Sequence, residues 1–495
     1  MNKNLKLIVL PLTAAIAVPF FTSCFKKNSG PKDRYEISIS ARSLPSEQQV
    51  LQLWEREYEK LHPEVDVQVD GWGSNEGTSE SYVMKNALNR DMLTNIIYTT
   101  DDSTAMLAQK KNFVDLRPYF ERSADTDYSR YYSTMLDTTS FYGEFRPTTS
   151  YNGAYESEKS NDAQYGVYFA PREYNMPGIL CNVSLFKEYF ATAEEKDNWT
   201  NDTLKQVWMR IGEGTEWNWT TFVNALKKIS QKCVELNSSG DRGFRACELN
   251  HTWEPVFTTI MKELHGDGLF AINQDNGEVV QNLDSAANKA AYNKIIDDFG
   301  KSTNIYMIDT DYGNDNFAYQ TVFAVIVSYP EVGNFYGSYS KNGKELGALN
   351  FPCEYVGAGC GGYGILVDKA EEIQTLKSGE TAKTVDLCWD FLKYIISKEG
   401  QNIAGKEGYI QPVLKELADT GDWIQAYDGK IDHTAFATAH ELRLDTFCFA
   451  NPVARNDLRT HVVSFYRDLF APTRTSYNDI LEIAVREVNQ DLKRA

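Results

Sequence analysis

The sequence lacks an apolar run of bilayer-spanning length within its main body. Thr321–Tyr329, for instance, stops at nine residues, against the roughly 20 that a spanning helix needs. Paired metal-ligand spacings are missing too. Six histidines include no His-x-x-x-His and eight cysteines no Cys-x-x-Cys, so no metal, redox centre or other cofactor is expected. There is no G-x-S-x-G elbow for a serine hydrolase. Basic runs are absent, and acidic residues outnumber basic ones 69 to 50 for a net charge of −19; that field repels phosphate backbones and argues against a nucleic-acid partner. Gly300-Lys-Ser302 matches the end of a phosphate loop, but residue 295 is Ile where the first glycine must stand. Gly357-Ala-Gly-Cys-Gly-Gly362 satisfies G-x-G-x-x-G literally, yet a strand pattern (Tyr363–Asp368) follows where a dinucleotide site needs a helix. The expectation is a close-packed glycine turn, where missing Cβ atoms let the backbone approach a neighbour or ligand.

What is present is a chain of 495 residues, 42% apolar and 24% charged, enough for two or three folded domains. Its start reads as an address. Lys3 and Lys6 precede the apolar stretch Leu7–Phe21, a signal peptide to be set aside from the fold. Phe21-Thr-Ser-Cys24 resembles a bacterial lipobox, which implies that Cys24 is acylated and becomes the mature N-terminus. Residues 25–34 then form a polar tether, with the body held in water at a membrane surface. Seven cysteines remain, an odd number that cannot all pair within the chain, and Cys233/Cys247 is the local pair best placed for a disulfide. Cys388 lies on an apolar helical face as a buried thiol.

Alternation of Tyr35, Ile37 and Ile39 predicts a strand over Tyr35–Ser40. Ser46-Glu47 then caps a helix with apolar positions Leu51, Trp54, Tyr58 and Leu61, ended by Pro63. Val65, Val67 and Val69 give a second strand, a helical stretch over about Thr78–Leu93 follows, and Asn95–Thr99 is a third strand. This order implies an α/β fold with parallel strands and right-handed crossovers. Ligands bind such sheets beyond the carboxyl ends of the strands, here the loops Ala41–Ser46, Gly71–Gly77 and Thr100–Ser103. Further helices are expected over Ser285–Phe299, Thr381–Ser397 and about Tyr477–Leu492, and the Gly-, Ser- and Tyr-rich stretch Thr138–Asp162 reads as a surface insertion.

Several segments, in order, resemble the extracellular solute-binding proteins of ABC importers, in the branch (family 1) that binds sugars and oligosaccharides. They are Trp54–Val69, Leu107–Leu116, Tyr165–Tyr174, Ile179–Phe186, the Trp219-Thr-Thr-Phe222 helix entry, Val356–Ile365, Trp389–Ser397 and Gly408–Leu417. The resemblance covers most of Tyr35–Ala495. It implies a two-lobed, periplasmic-binding-protein-like fold of type II, with lobe 1 at 35–166 plus 356–409, lobe 2 at 167–355 plus 410–495, and crossing hinge segments between them. It also implies a monomer that closes on a small-molecule solute, most simply a carbohydrate, hands it to an ABC permease, and performs no covalent chemistry.

On this reading the candidate ligand-binding residues follow the loops and crossings. Glu47 faces the cleft or caps the first helix. Trp72 sits in a glycine-rich loop with little core to join. Asp101 and Asp102 follow the third strand. Arg172, Glu173 and Tyr174 form a polar cluster beside the first crossing. Trp253 and Glu254 open a segment where the family places a cleft aromatic, and Tyr329 and Tyr363 resemble stacking positions. Two rivals are an all-helical, lipidated glycan-binding surface protein and a lipid-anchored glycoside hydrolase. With 69 carboxylates some acidic dyad is always nominable, and the spacing selects none.

Overall fold

The computed structural model describes residues 31–72, 79–100, 104, 107–108, 110–131, 140–141, 166–238, 243–249, 253–273, 278–299, 305–307, 320–418, 420–437, 440–442, 451, 454–470 and 477–494. The expected acylation position Cys24, the pair Asp101 and Asp102, and nearly all of the expected insertion 138–162 lie outside these residues.

In chain order the main strands are β1 (Tyr35–Arg42), β2 (Val65–Trp72), β3 (Ile96–Thr100), β4 (Ala170–Asn175), β5 (Pro177–Asn182), β6 (Arg245–Leu249), β7 (Ile305–Met307), β8 (Val322–Ser328), β9 (Leu346–Asn350) and β10 (Gly359–Ile365). They build two five-stranded sheets, ordered β2-β1-β3-β10-β4 and β7-β6-β8-β5-β9. The pairs β1·β2 and β1·β3 are parallel, as the opening alternation predicts, and β10 runs antiparallel to both of its neighbours. The second sheet repeats the scheme, with β5 as its reversed strand. Two five-stranded sheets exclude the all-helical rival.

The chain leaves the first sheet at Asn175 and enters the second at Pro177. Met176 alone separates them, ten residues beyond the boundary expected at 166/167, because the register places Ala170–Asn175 against β10 of the first sheet. The return passes between Asn350 and Gly359, bracketing the expected 355/356. The third passage, near Gln411, lies against the first: the Tyr174 amide donates to the Gln411 carbonyl at 3.0 Å. Two fully buried glutamines fasten this junction. Gln411 accepts from the Met176 amide at 3.3 Å and donates to the Phe436 carbonyl at 2.6 Å. Gln401 donates to the carbonyls of Arg172 (2.9 Å) and Ile395 (3.0 Å) and accepts from the Val413 amide at 2.9 Å.

The first helix spans Pro45–Leu61, with Pro45 in its opening turn and no side-chain cap from Leu44. Proline's fixed φ and missing N–H suit that position, so Ser46 and Glu47 lie inside the helix instead of capping it. Leu51, Trp54 and Tyr58 are buried as expected, but Leu61 is 55% exposed. Trp54 donates to the Gly400 carbonyl at 2.8 Å and Tyr58 to Asp390 at 2.9 Å, which clamps the helix onto Thr384–Ile395 and Lys398–Lys406. The stretch expected as a helix to Leu93 is one over Ser79–Lys85 only, followed by a turn and a short 3₁₀ segment. Ser285 caps Ala286–Asp298 through Asn288, and the last helix is Tyr477–Leu492. The expected Cys233/Cys247 disulfide is absent. Both are free and buried, one on the inner face of Trp219–Ser238 and the other in β6.

Glu55, on the first helix, is pushed up from an ordinary 4.5 to about 7, by burial first and then by the neighbouring charges of Glu59 and Asp66. A carboxyl whose pKa is raised on folding contributes stability below its unfolded value and loses it as the pH climbs to the folded value. Glu55→Gln should therefore gain melting temperature relative to the parent as pH rises from about 4.5 to 7. A difference between the two proteins that stays constant over that range would refute the assignment.

Candidate ligand-binding site

Six side chains converge where β1, β3, β10 and β4 meet the start of the first helix. Arg42 ends β1, and its guanidinium pairs with Glu47, Nε donating to Oε1 at 2.9 Å. Arg172 donates to the carboxylate of Glu173, and the Tyr98 hydroxyl donates to Glu173 at 3.4 Å. Both guanidinium carbons face the Tyr98 ring, Arg172 at 4.8 Å and Arg42 at 5.6 Å from its centroid. Tyr363 meets Tyr98 edge-on at 5.8 Å and Trp54 at 6.3 Å.

A backbone irregularity makes this cluster possible. Side chains of successive strand residues point to opposite faces, which would separate Arg172 from Glu173. The β4·β10 register instead slips between Gly361 and Gly362, pairing them with Glu173 and Pro171. Arg172 is thus the extra residue of a β-bulge, a device that re-aims side chains beside functional sites. The glycines opposite belong to β10 and not to a turn. A Cβ on Gly361 would meet the Tyr98 hydroxyl at 2.2 Å, and one on Gly362 the Ala170 carbonyl at 2.2 Å. The close approach expected of this stretch is real, but its neighbours are the sheet's own residues.

The cluster is deeply buried, with Glu47 at 4%, Arg172 at 5% and Glu173 at 3% exposure. Burial disfavours the Arg172 cation, but Glu173 foremost, then Tyr363, Tyr98 and Glu47, outweigh it and hold the group firmly protonated. Burial, then Glu173, pushes the Tyr98 hydroxyl up, so it stays neutral and able to donate. Two cations therefore face two carboxylates. Glu47 Oε2 and Arg172 Nε and Nη1 are buried without a close hydrogen-bond partner, and the buried Tyr363 hydroxyl interacts with the Arg172 guanidinium. A buried polar group left unpaired costs about 1–3 kcal/mol. These atoms lie within one cluster.

Four sequence candidates, Glu47, Arg172, Glu173 and Tyr363, are brought together here. Arg42 and Tyr98 were not foreseen. Arg42 lies in the loop Ala41–Ser46 expected to reach the ligand but is not singled out by its residue type, and Tyr98 sits in an apolar run that reads as core. Trp72 lies opposite Arg42 in the β1·β2 register but is buried, stacked on Tyr82 at 5.1 Å with its indole N–H unpartnered. Tyr174 is buried and its backbone belongs to the junction with Gln411. Tyr329 does not join the cluster: it is fully buried in a separate core, against Trp423 at 5.2 Å and Phe436 at 5.6 Å. Trp253 and Glu254 open the helix Trp253–Glu263, but their side chains, like Asp101 and Asp102 entirely, lie outside the description. Among the described residues no group of three or more His, Cys, Asp or Glu is placed to hold a metal ion, and no helix is long and apolar enough to cross a membrane.

A family model described as bacterial extracellular solute-binding protein matches residues 55–430. The chain belongs to that family. Solved structures share the architecture of this solute-binding protein over nearly its whole length. The ABC substrate-binding protein Lmo0181 from Listeria monocytogenes, in complex with cycloalternan, is 12% identical with a TM-score of 0.60, covering 94% of this chain and 100% of its own. The sugar-binding protein MalE from Xanthomonas citri is 13% identical with a TM-score of 0.62, covering 92% and 97%. UgpB from Mycobacterium tuberculosis, in complex with glycerophosphocholine, is 12% identical with a TM-score of 0.62, covering 94% and 99%. At these identities the likeness is one of fold: two α/β lobes, one around each sheet. Comparison with curated proteins returns no match.

Proposed function

We propose that this solute-binding protein captures a neutral carbohydrate between its lobes and delivers it to an ABC permease. Acylated Cys24 would hold it outside the cell membrane, and the working unit is a monomer. The observation that carries the ligand class is the orphaned set at the bulge. Arg172 Nε and Nη1 offer donors, Glu47 Oε2 an acceptor and Tyr363, beside the Arg172 guanidinium, a hydroxyl proton to donate. Each sugar hydroxyl donates one hydrogen bond and accepts others, so adjacent hydroxyls satisfy both kinds of group. The balanced charge of the cluster favours a neutral ligand, because an anion would confront Glu47 and Glu173. Two of the three fold relatives described above are a sugar-binding protein and a complex with a cyclic saccharide, which supports the same class.

The lobes follow the sheets, so the first boundary is drawn at Met176. Closure about Met176 and Gln411 is driven by the ligand's differential affinity for the closed state. Trp72 borders the site, and Asp101, Asp102, Trp253 and Glu254 keep their places as ligand contacts of the remaining loops. The hydrolase alternative needs a protonated acid and a free base. Here both carboxylates of the cluster are committed to arginines, so the solute is released unchanged.

The test is a thermal-shift and product analysis with maltotetraose, cellotetraose, xylotetraose and trigalacturonate. A neutral member should raise the melting temperature and be recovered intact, the gain corresponding to about 2.7 kcal/mol at a hundredfold excess over Kd. Cleavage of a sugar, or a response to the acidic trimer alone, would overturn the reading.

A further inference from the structure

The second lobe carries a depression far from the junction. β5 runs from Pro177, next to Met176, out to Asn182, and β9 returns from Leu346. A recess of about 600 Å³ opens at that outer end, separated from the junction by the six residues of β5, some 17–20 Å of extended chain. Its size falls within the usual range for small-ligand sites.

The lining combines aromatic faces with hydrogen-bonding groups of both kinds. Trp199 and Tyr336 are half-buried, each packed on a different apolar core, so the recess sits at the seam between the two. Asn201, Ser340, Lys344 and Glu345 supply an amide, a hydroxyl, an ammonium and a carboxylate. The wall is held in advance: the Lys187 amine stands 5.5 Å from the Trp199 ring centroid and pairs with Glu345 at 2.5 Å. Groups fixed before binding lose little freedom on binding. Gly343, at φ +63°, makes the turn that brings Lys344 and Glu345 to the rim.

We infer that this recess is a second saccharide-binding site, independent of the one between the lobes. Apolar ring faces are met by Trp199 and Tyr336, and ring hydroxyls by the surrounding amide, hydroxyl and charged groups. A site on the outer pole would retain one part of a long glycan while the interlobe site holds another. That would raise the effective concentration of the glycan at the mouth of the cleft.

Calorimetric titration of the purified chain with the same four oligosaccharides tests this. At least one should bind at two sites per chain, and Trp199→Ala should leave one, weakening the other about tenfold or more. Lys344→Glu, a change on an exposed turn that spares the cores, should weaken the same site. Arg172→Gln should silence only the interlobe site. The inference is overturned if neither recess variant weakens any binding event that the panel produces. Failure of the interlobe reading looks different, since Arg172→Gln would then have no effect on binding.

Discussion

Arg172→Gln is expected to abolish the interlobe site's share of the ligand-induced rise in melting temperature and to lower the protein's own stability by about 3–5 kcal/mol, the usual result of removing one partner from a buried ion pair. Glu173 would be left nearly inaccessible with only the long 3.4 Å contact from Tyr98. The double variant Arg172→Gln/Glu173→Gln removes both charges, so most of that loss should return while binding at the interlobe site does not. Urea denaturation with and without sugar measures both quantities. A purely structural pair would let the double variant bind; full ligand response in Arg172→Gln would sink the assignment.

Gln411→Leu should cost about 2–6 kcal/mol, because two buried backbone groups, the Met176 amide and the Phe436 carbonyl, would each lose a partner at about 1–3 kcal/mol. The shape of the residue is nearly kept, so a packing defect contributes little. Those two groups belong to the passage between the sheets and to the wall of the second core, so ligand affinity should change together with stability. A loss below about 1 kcal/mol in urea unfolding with unaltered affinity would show that this glutamine does not govern the junction.

Much of the architecture was readable in advance because it follows from hydrophobic period. Tyr35, Ile37 and Ile39, then Val65 and Val67, alternate as one-sided strands do, and Trp54 and Tyr58 mark the inner face of the helix between them. The site was only half readable. Glu47, Arg172, Glu173 and Tyr363 stood out as polar or aromatic residues near strand ends and crossings. What joins them is the bulge at Arg172, and a bulge is set by register against Gly361 and Gly362, almost two hundred residues away, which no local pattern encodes. Tyr329 misled for the matching reason: a tyrosine at the end of an apolar strand reads as a platform, but Trp423, His433 and Phe436 close over it. The boundary at 166/167 failed similarly, since nothing in the composition of Ala170–Asn175 tells which sheet it joins.

The single residue between β4 and β5 also restricts how this gene can drift. β5 is buried on both faces, Ile179 and Cys181 entering one core and Leu180 the other. Insertion or loss of one codon at Met176 would turn every β5 side chain to the wrong core unless the strand slid along its neighbours. Length changes should therefore be purged at this point, while surface connections elsewhere accept them freely.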